Sequence, residues 1–222
     1  MAGIDELETP MNAIASTPRR ALIVIDVQNE YVTGNLRIEH PPVADSLEQI
    51  GRAMDAARAA GVPVVVVQND APPGAPLFAR GSAGHALHPL VAGRAHDHRV
   101  HKTLPGAFTE TGLAAWLGER GIDTVTVAGY MTHNCDASTI VDAVHRGFKV
   151  EFLVDASGAV PYRNAAGFAS AEDIHRVFSV VLHSRFAAVV TTDRWIDALH
   201  ACIALKRSSI AASNQAALSV AA

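Results

Sequence analysis

A cysteine near the middle of the chain, Cys135, lies where a thiol nucleophile would be expected. The run 123–128 before it is apolar and β-branched, which is typical of a buried strand. The segment after it repeats apolar residues at helical spacing, and Thr132 is a candidate N-cap. Cys135 would then lie in the first helical turn, where unpaired N–H groups and the helix dipole lower the pKa of a thiol. A small buried residue, the ordinary role of cysteine, fits the same stretch.

Two further ionisable residues follow predicted strands. Asp26 closes the apolar run 21–25, and Lys102 ends a weaker strand candidate over 97–102. Taken singly, Asp26 could be a loop-capping carboxylate and Lys102 a surface lysine. Right-handed crossovers, however, place the carboxyl ends of parallel strands at one edge of a sheet, where ligands bind. Asp26, Lys102 and Cys135 would meet at that edge, and three such residues together indicate a catalytic site.

The order of the predicted elements indicates the α/β class, with a parallel sheet covered by helices on both faces. Further strands are expected over 62–68, 149–155 and 187–192, and helices over 42–60, 111–120, 170–185 and 192–205. The segments 69–84 and 156–167 are expected to be loops. We divide the chain into an N-terminal arm (1–18), one α/β domain (19–205) and a C-terminal tail (206–222).

Composition narrows the range of functions. The chain has 222 residues, a formal net charge of −4 and no extended basic cluster, so nucleic acid is not an expected partner. Its two cysteines, Cys135 and Cys202, favour a reducing compartment over a disulfide framework. Neither a signal peptide nor a membrane-spanning run is visible, so we expect a cytoplasmic protein without a membrane partner.

No metal or cofactor is predicted. Five histidines lie between His85 and His101, but their spacing does not form a convincing ligand set, and solvated histidines are expected. The segment after the first strand lacks both the Gly-x-Gly-x-x-Gly pattern of dinucleotide sites and the Gly-Lys-Ser/Thr of P-loops.

Three segments resemble the motifs of the isochorismatase-like cysteine hydrolases: 21–29, 102–108 and 128–139. The likeness extends over roughly 20–200 and includes 81–89 and 152–156. It implies a three-layer, Rossmann-like α/β/α sandwich with a six-stranded parallel sheet of order 3-2-1-4-5-6. It also implies a catalytic triad of Asp26, Lys102 and Cys135, a cis peptide between Tyr130 and Met131, an oxyanion hole formed by the backbone N–H groups of Met131 and Cys135, and a homo-oligomer, either dimer or tetramer.

The resemblance implies a metal-independent hydrolase that cleaves a C–N bond of a small amide, carbamoyl or lactam substrate through a thioester. Nicotinamidases of this group carry an Asp-x-His…His metal set, whereas the corresponding segment here, 68–72, contains no histidine. Isochorismatases proper lack the cysteine. A vinyl-ether hydrolase and a non-catalytic or redox-sensing protein, with Cys202 as the resolving thiol, stay open as alternatives. Candidate substrate contacts are Gln28, Tyr31, Phe108, Tyr130 and His133.

Overall fold

The computed structural model describes residues 17–220 and is built on a six-stranded sheet in which all neighbouring strands are parallel. Its strands are β1 (Arg20–Ile25), β2 (Val64–Asn69), β3 (His98–Lys102), β4 (Thr124–Tyr130), β5 (Lys149–Gly158) and β8 (Ala188–Val190). They are ordered β3-β2-β1-β4-β5-β8. The predicted order 3-2-1-4-5-6 is therefore confirmed, with β8 as the sixth strand of the sheet.

Each face of the sheet carries its own apolar core, because the side chains of a buried strand alternate between two covered faces. On β1, Leu22 and Val24 belong to one core, while Ala21, Ile23 and Ile25 belong to the other. Continuous apolar runs, rather than alternating ones, are what such a doubly covered sheet requires.

Helices cover both faces, which confirms the α/β/α layering. They are α1 (Val43–Ala59), α2 (Pro89–Ala92), α3 (Leu113–Glu119), α4 (Ala137–His145), α5 (Ala171–Arg185), α6 (Thr192–His200) and α7 (Ile210–Val220). Side chains of α1 and α6 enter the first core, and side chains of α3, α4 and α5 enter the second. In residues 17–220 no helix is long and apolar enough to cross a bilayer.

Two predictions about local structure were wrong. The expected loop over 156–167 contains the end of β5 and a hairpin of β6 (Tyr162–Asn164) and β7 (Gly167–Ala169). The residues of the hairpin are mostly exposed and show no apolar alternation, so the sequence carried no strand signal for it. The helix expected over 192–205 ends at His200, and α7 lies within the predicted tail. The predicted arm lies outside the described residues, apart from its last two.

Gly129 lets β4 approach β1 immediately before the Cys135 segment. Its φ is +120°, and a Cβ built there would lie 2.1 Å from the backbone oxygen of Ile25. The register between β4 and β5 shifts between Val127 and Gly129. Only glycine tolerates both the conformation and the contact.

We predict that Gly129→Ala strongly destabilises the protein, by more than about 3 kcal/mol, because backbone atoms of a central strand would have to move. Gly118→Ala on the exposed face of α3 is the matched control, since nothing lies within 4 Å of the added Cβ. That change should leave stability unchanged or raise it by up to about 1 kcal/mol. Urea denaturation measures the stability of both variants. Equal midpoints would contradict the conclusion that position 129 requires glycine.

Candidate active site

An ion pair between Asp26 and Lys102 lies at the carboxyl edge of the sheet. Asp26 follows β1 with a φ of +51°, a left-handed conformation that aspartate tolerates better than most residues. Lys102 ends β3, and its Nζ lies 2.7 Å from Oδ2 of Asp26, with both side chains fully buried. Neither carboxylate oxygen of Asp26 has a partner in hydrogen-bond geometry, so the contact between Asp26 and Lys102 is an ion pair. The structure thus brings these two residues together across β2.

Cys135 joins this pair from the other side. The Lys102 Nζ lies 3.4 Å from the Cys135 sulfur, so one ammonium group contacts both the carboxylate and the thiol. Cys135 belongs to a single π-helical turn, Thr132–Asp136, that precedes α4. The peptide bond between Tyr130 and Met131, at the entry to this turn, is cis.

The N-cap prediction for Thr132 was wrong. Met131 occupies the cap position without a side-chain hydrogen bond. Thr132 instead donates through Oγ1 to the carbonyl of Gly158 and contacts Nδ1 of His175 at 2.8 Å. These contacts tie the turn to β5 and α5, so tertiary bonding replaced the local cap.

Burial changes the electrostatics expected for Cys135. Desolvation and the charge of Asp26 raise the pKa of the thiol, and the charge of Lys102 only partly opposes them. The prediction of a lowered pKa was therefore wrong for the resting site. Desolvation likewise raises the pKa of Asp26 against the effect of Lys102, which makes it a stronger base than an exposed carboxylate. Although burial opposes it, the charge of Asp26 raises the pKa of Lys102, so the ammonium stays charged.

Sequence reasoning missed Asn69, which ends the intervening strand β2. Its Oδ1 accepts a hydrogen bond of 3.4 Å from Lys102. The same rule that selected Asp26 and Lys102, polar residues at carboxyl ends of strands, would have found it. Asn69 helps to hold the ammonium as it crosses β2.

Gln28 braces the loops around the site rather than presenting a free amide to a substrate. Its Nε2 donates to the carbonyls of Asn69 and His85, at 3.0 Å and 2.8 Å, and its Oε1 accepts from the Asn69 N–H at 2.9 Å. A substrate would have to displace these bonds. The structure therefore assigns Gln28 a supporting role instead of the predicted substrate contact.

The aromatic candidates occupy different environments. Tyr31 is packed against Tyr130, whose hydroxyl lies 2.7 Å from Oγ of Ser46. Phe108 stacks on Phe148 in the second core. All three predicted residues are buried, and their contacts are those of core side chains.

His133, by contrast, borders two cavities. One of about 450 Å³ lies beneath the β6–β7 hairpin, and one of about 660 Å³ lies beside α4. Its ring meets Tyr162 and Phe178 edge-on. Burial lowers the pKa of His133 to about 4, so the imidazole is neutral at neutral pH.

Asp136 is a second buried acid that sequence reasoning did not single out. It directly follows Cys135 and is fully buried, and neither carboxyl oxygen has a hydrogen bond of regular geometry. Ser157 is its polar neighbour. Desolvation, reinforced by the charge of Asp26, raises the pKa of Asp136 well above its usual value. Burial therefore favours the protonated form of Asp136, the form that does not compete with Asp26 for Lys102.

Two of the five histidines gather around Asp70 rather than around each other. His85 Nε2 lies 2.8 Å from Oδ1 of Asp70, and His101 Nδ1 lies 3.2 Å from its Oδ2. The guanidinium of Arg80 reaches the same carboxylate. Within 17–220, no group of three or more His, Cys, Asp or Glu side chains has the arrangement of metal ligands.

Fold and site together define a doubly wound α/β protein with a buried carboxylate–ammonium–thiol cluster at the carboxyl edge of its sheet. The family model "Isochorismatase domain" matches residues 20–194, and the chain belongs to this family. The predicted family resemblance is thereby confirmed.

Solved structures and a curated relative agree with this assignment. A crystal structure of an inferred isochorismatase from Burkholderia xenovorans LB400 is 70% identical, with a TM-score of 0.90 over 91% of this chain and 97% of that one. A cysteine hydrolase from Pseudomonas syringae pv. phaseolicola 1448A is 30% identical, with a TM-score of 0.76 over 83% and 94%. The ureidoacrylate amidohydrolase RutB of Methylorubrum extorquens AM1 is 32% identical over 61% of this chain and 68% of that protein. The relatives are hydrolases.

We predict that Asp136→Asn stabilises the protein, and that its advantage over the parent grows as pH rises. The folded-state pKa of Asp136 is raised, so the parent has its full stability below the unfolded pKa of about 3.9 and loses stability above it. The difference should grow by about 1.4 kcal/mol per pH unit until the folded pKa is reached.

Urea denaturation of both proteins between pH 4 and 8 measures this difference. Asp45→Asn, at an exposed acid in the first turn of α1, is the control and should show no comparable trend. A difference between parent and Asp136→Asn that is constant with pH would contradict a raised folded-state pKa of Asp136.

Proposed function

We propose that the protein is a metal-independent cysteine hydrolase that cleaves the C–N bond of a small amide, carbamoyl or lactam through a thioester. The observation that carries this proposal is the single ammonium of Lys102, 2.7 Å from Asp26 and 3.4 Å from the Cys135 sulfur. Family membership supports hydrolysis, and the amidohydrolase among the relatives supports a C–N bond.

The proposed first step moves the Cys135 proton to Asp26. The raised pKa of Asp26 makes the carboxylate a suitable base, and Lys102 stabilises the thiolate by its charge. The thiolate attacks the carbonyl carbon and forms the C–S bond. Asp26 then returns its proton to the leaving amine as the C–N bond breaks.

In the second step, water attacks the thioester carbonyl, the C–S bond breaks, and the acid and the Cys135 thiol are released. We assign the backbone N–H groups of Met131 and Cys135 to the developing oxyanion. Preorganised donors of this kind typically contribute 10²–10³ in rate. Their placement on one short turn beside the sulfur supports this role.

Two alternatives are less well supported. Vinyl-ether cleavage would leave Cys135 without a role, although Lys102 contacts its sulfur directly. A redox sensor needs an exposed thiol of low pKa, whereas Cys135 is 5% exposed and its pKa is raised. The buried cluster favours catalysis over both.

We predict that Cys135→Ala lowers kcat/KM at least about 10³-fold because it removes the nucleophile. The fold should be retained, since the change removes one atom beside a turn held by Thr132. Cys202→Ser, at the exposed second cysteine, is the matched control and should keep parental activity. Ammonia release from an amide library measures both variants. Parental turnover by Cys135→Ala would refute the nucleophile.

We also predict that activity survives exhaustive EDTA treatment. The roles of base, charge stabiliser and nucleophile are assigned to Asp26, Lys102 and Cys135, and none of them needs a bound ion. Ammonia release before and after dialysis against the chelator gives the comparison. Activity that is lost and then restored by zinc, iron or manganese would show that a metal takes part.

A further inference from the structure

The cavity beneath the β6–β7 hairpin lies next to the candidate site. His133, on its wall, shares the π-helical turn with Cys135. Tyr162, on the hairpin, places its ring centroid 5.0 Å from that of His133. A substrate held at Cys135 could extend into this cavity.

No formally charged side chain lines this cavity at neutral pH. Its larger side chains are Tyr162, Phe168, Ile174 and Phe178 with the neutral His133. The one amide, Asn164, already accepts through Oδ1 from the Ala166 N–H at 2.8 Å. The nearest cation on the hairpin, Arg163, lies over the ring of Phe168 and is not part of the wall.

We propose that this cavity binds the uncharged, apolar or aromatic part of the substrate, so that the substrate class is a neutral amide rather than an amide carrying a carboxylate. The inference rests on the proposed function and specifies its substrate. A carboxylate placed here would lose hydration without gaining a cationic partner, because Lys102 is already paired with Asp26. An aromatic ring would meet the edges and faces of three aromatic side chains.

A matched pair of amides tests the proposal: 3-phenylpropanamide and 3-(4-carboxyphenyl)propanamide, which differ by one carboxylate. Binding is measured by calorimetry on Cys135→Ala, so that it does not depend on turnover. We expect the neutral amide to bind at least about 10-fold more tightly. Ammonia release by the parent enzyme should show a preference of about 100-fold in kcat/KM.

Cationic variants report on the cavity itself. Ile174→Lys places a charge on its wall and should reduce or reverse the preference. Phe168→Lys, at a residue 59% exposed, tests the same point if Ile174→Lys does not fold. Val180→Lys, at a residue 63% exposed on the same helix α5, is the matched control and should leave the preference unchanged.

The outcomes separate this inference from the proposed function. Binding of the neutral amide without ammonia release would refute the proposed reaction and leave the cavity assignment intact. Equal or tighter binding of the carboxylate, no binding of either amide, or a preference that neither cationic variant changes would overturn the cavity assignment.

Discussion

The site depends on a lysine that reaches across a strand. Asp26 and Lys102 end strands two positions apart, about 10 Å at sheet spacing, and a lysine stem covers about 6 Å of that. The contact forms at 2.7 Å because Asp26 turns into a left-handed conformation and Asn69, on the strand between, also accepts from the ammonium. A buried ion pair is costly to desolvate and seldom adds net stability. The ion pair at the carboxyl edge of the sheet is therefore better explained by a role in a reaction than by a contribution to folding stability.

The ammonium of Lys102 contacts both Asp26 and Cys135, the proposed base and the proposed nucleophile, and this limits the net charge that the site holds. With Asp26 ionised, Lys102 is balanced and Cys135 stays a thiol. In the proposed proton transfer, the thiolate replaces the carboxylate as the partner of Lys102, so the net charge of the three side chains does not change. An ionised Asp136 would add a negative charge that Lys102 does not balance. The complete burial of Asp136 favours the protonated, neutral form instead. The raised pKa of Cys135 in the resting site is therefore consistent with a proton that moves only when a substrate is bound.

The sequence was sufficient where local pattern and topology act together. Runs rich in apolar and β-branched residues predicted five of the strands in the doubly covered sheet, and the rule on carboxyl ends brought Asp26, Lys102 and Cys135 to one edge. It failed where tertiary contacts decide. Thr132 has the residue type of a helix cap, but its side chain contacts β5 and α5 instead. The helix dipole was expected to lower the pKa of Cys135, but burial, which no local pattern reveals, raises it. The hairpin was missed because short exposed strands lack periodicity.

That missed hairpin has consequences for recognition. The residues that could react lie at or shortly after the carboxyl ends of β1, β3 and β4, where strand order fixes their spacing. Apart from His133, the walls of the adjacent cavity come from the β6–β7 hairpin and α5, outside the six-stranded sheet, where side chains can change without disturbing that spacing. The type of reaction can therefore be predicted from sequence motifs, because strand order fixes the positions of the residues in them. In the proposed assignment, substrate choice depends on Tyr162, Phe168, Ile174 and Phe178, which come together around one cavity only when the chain is folded.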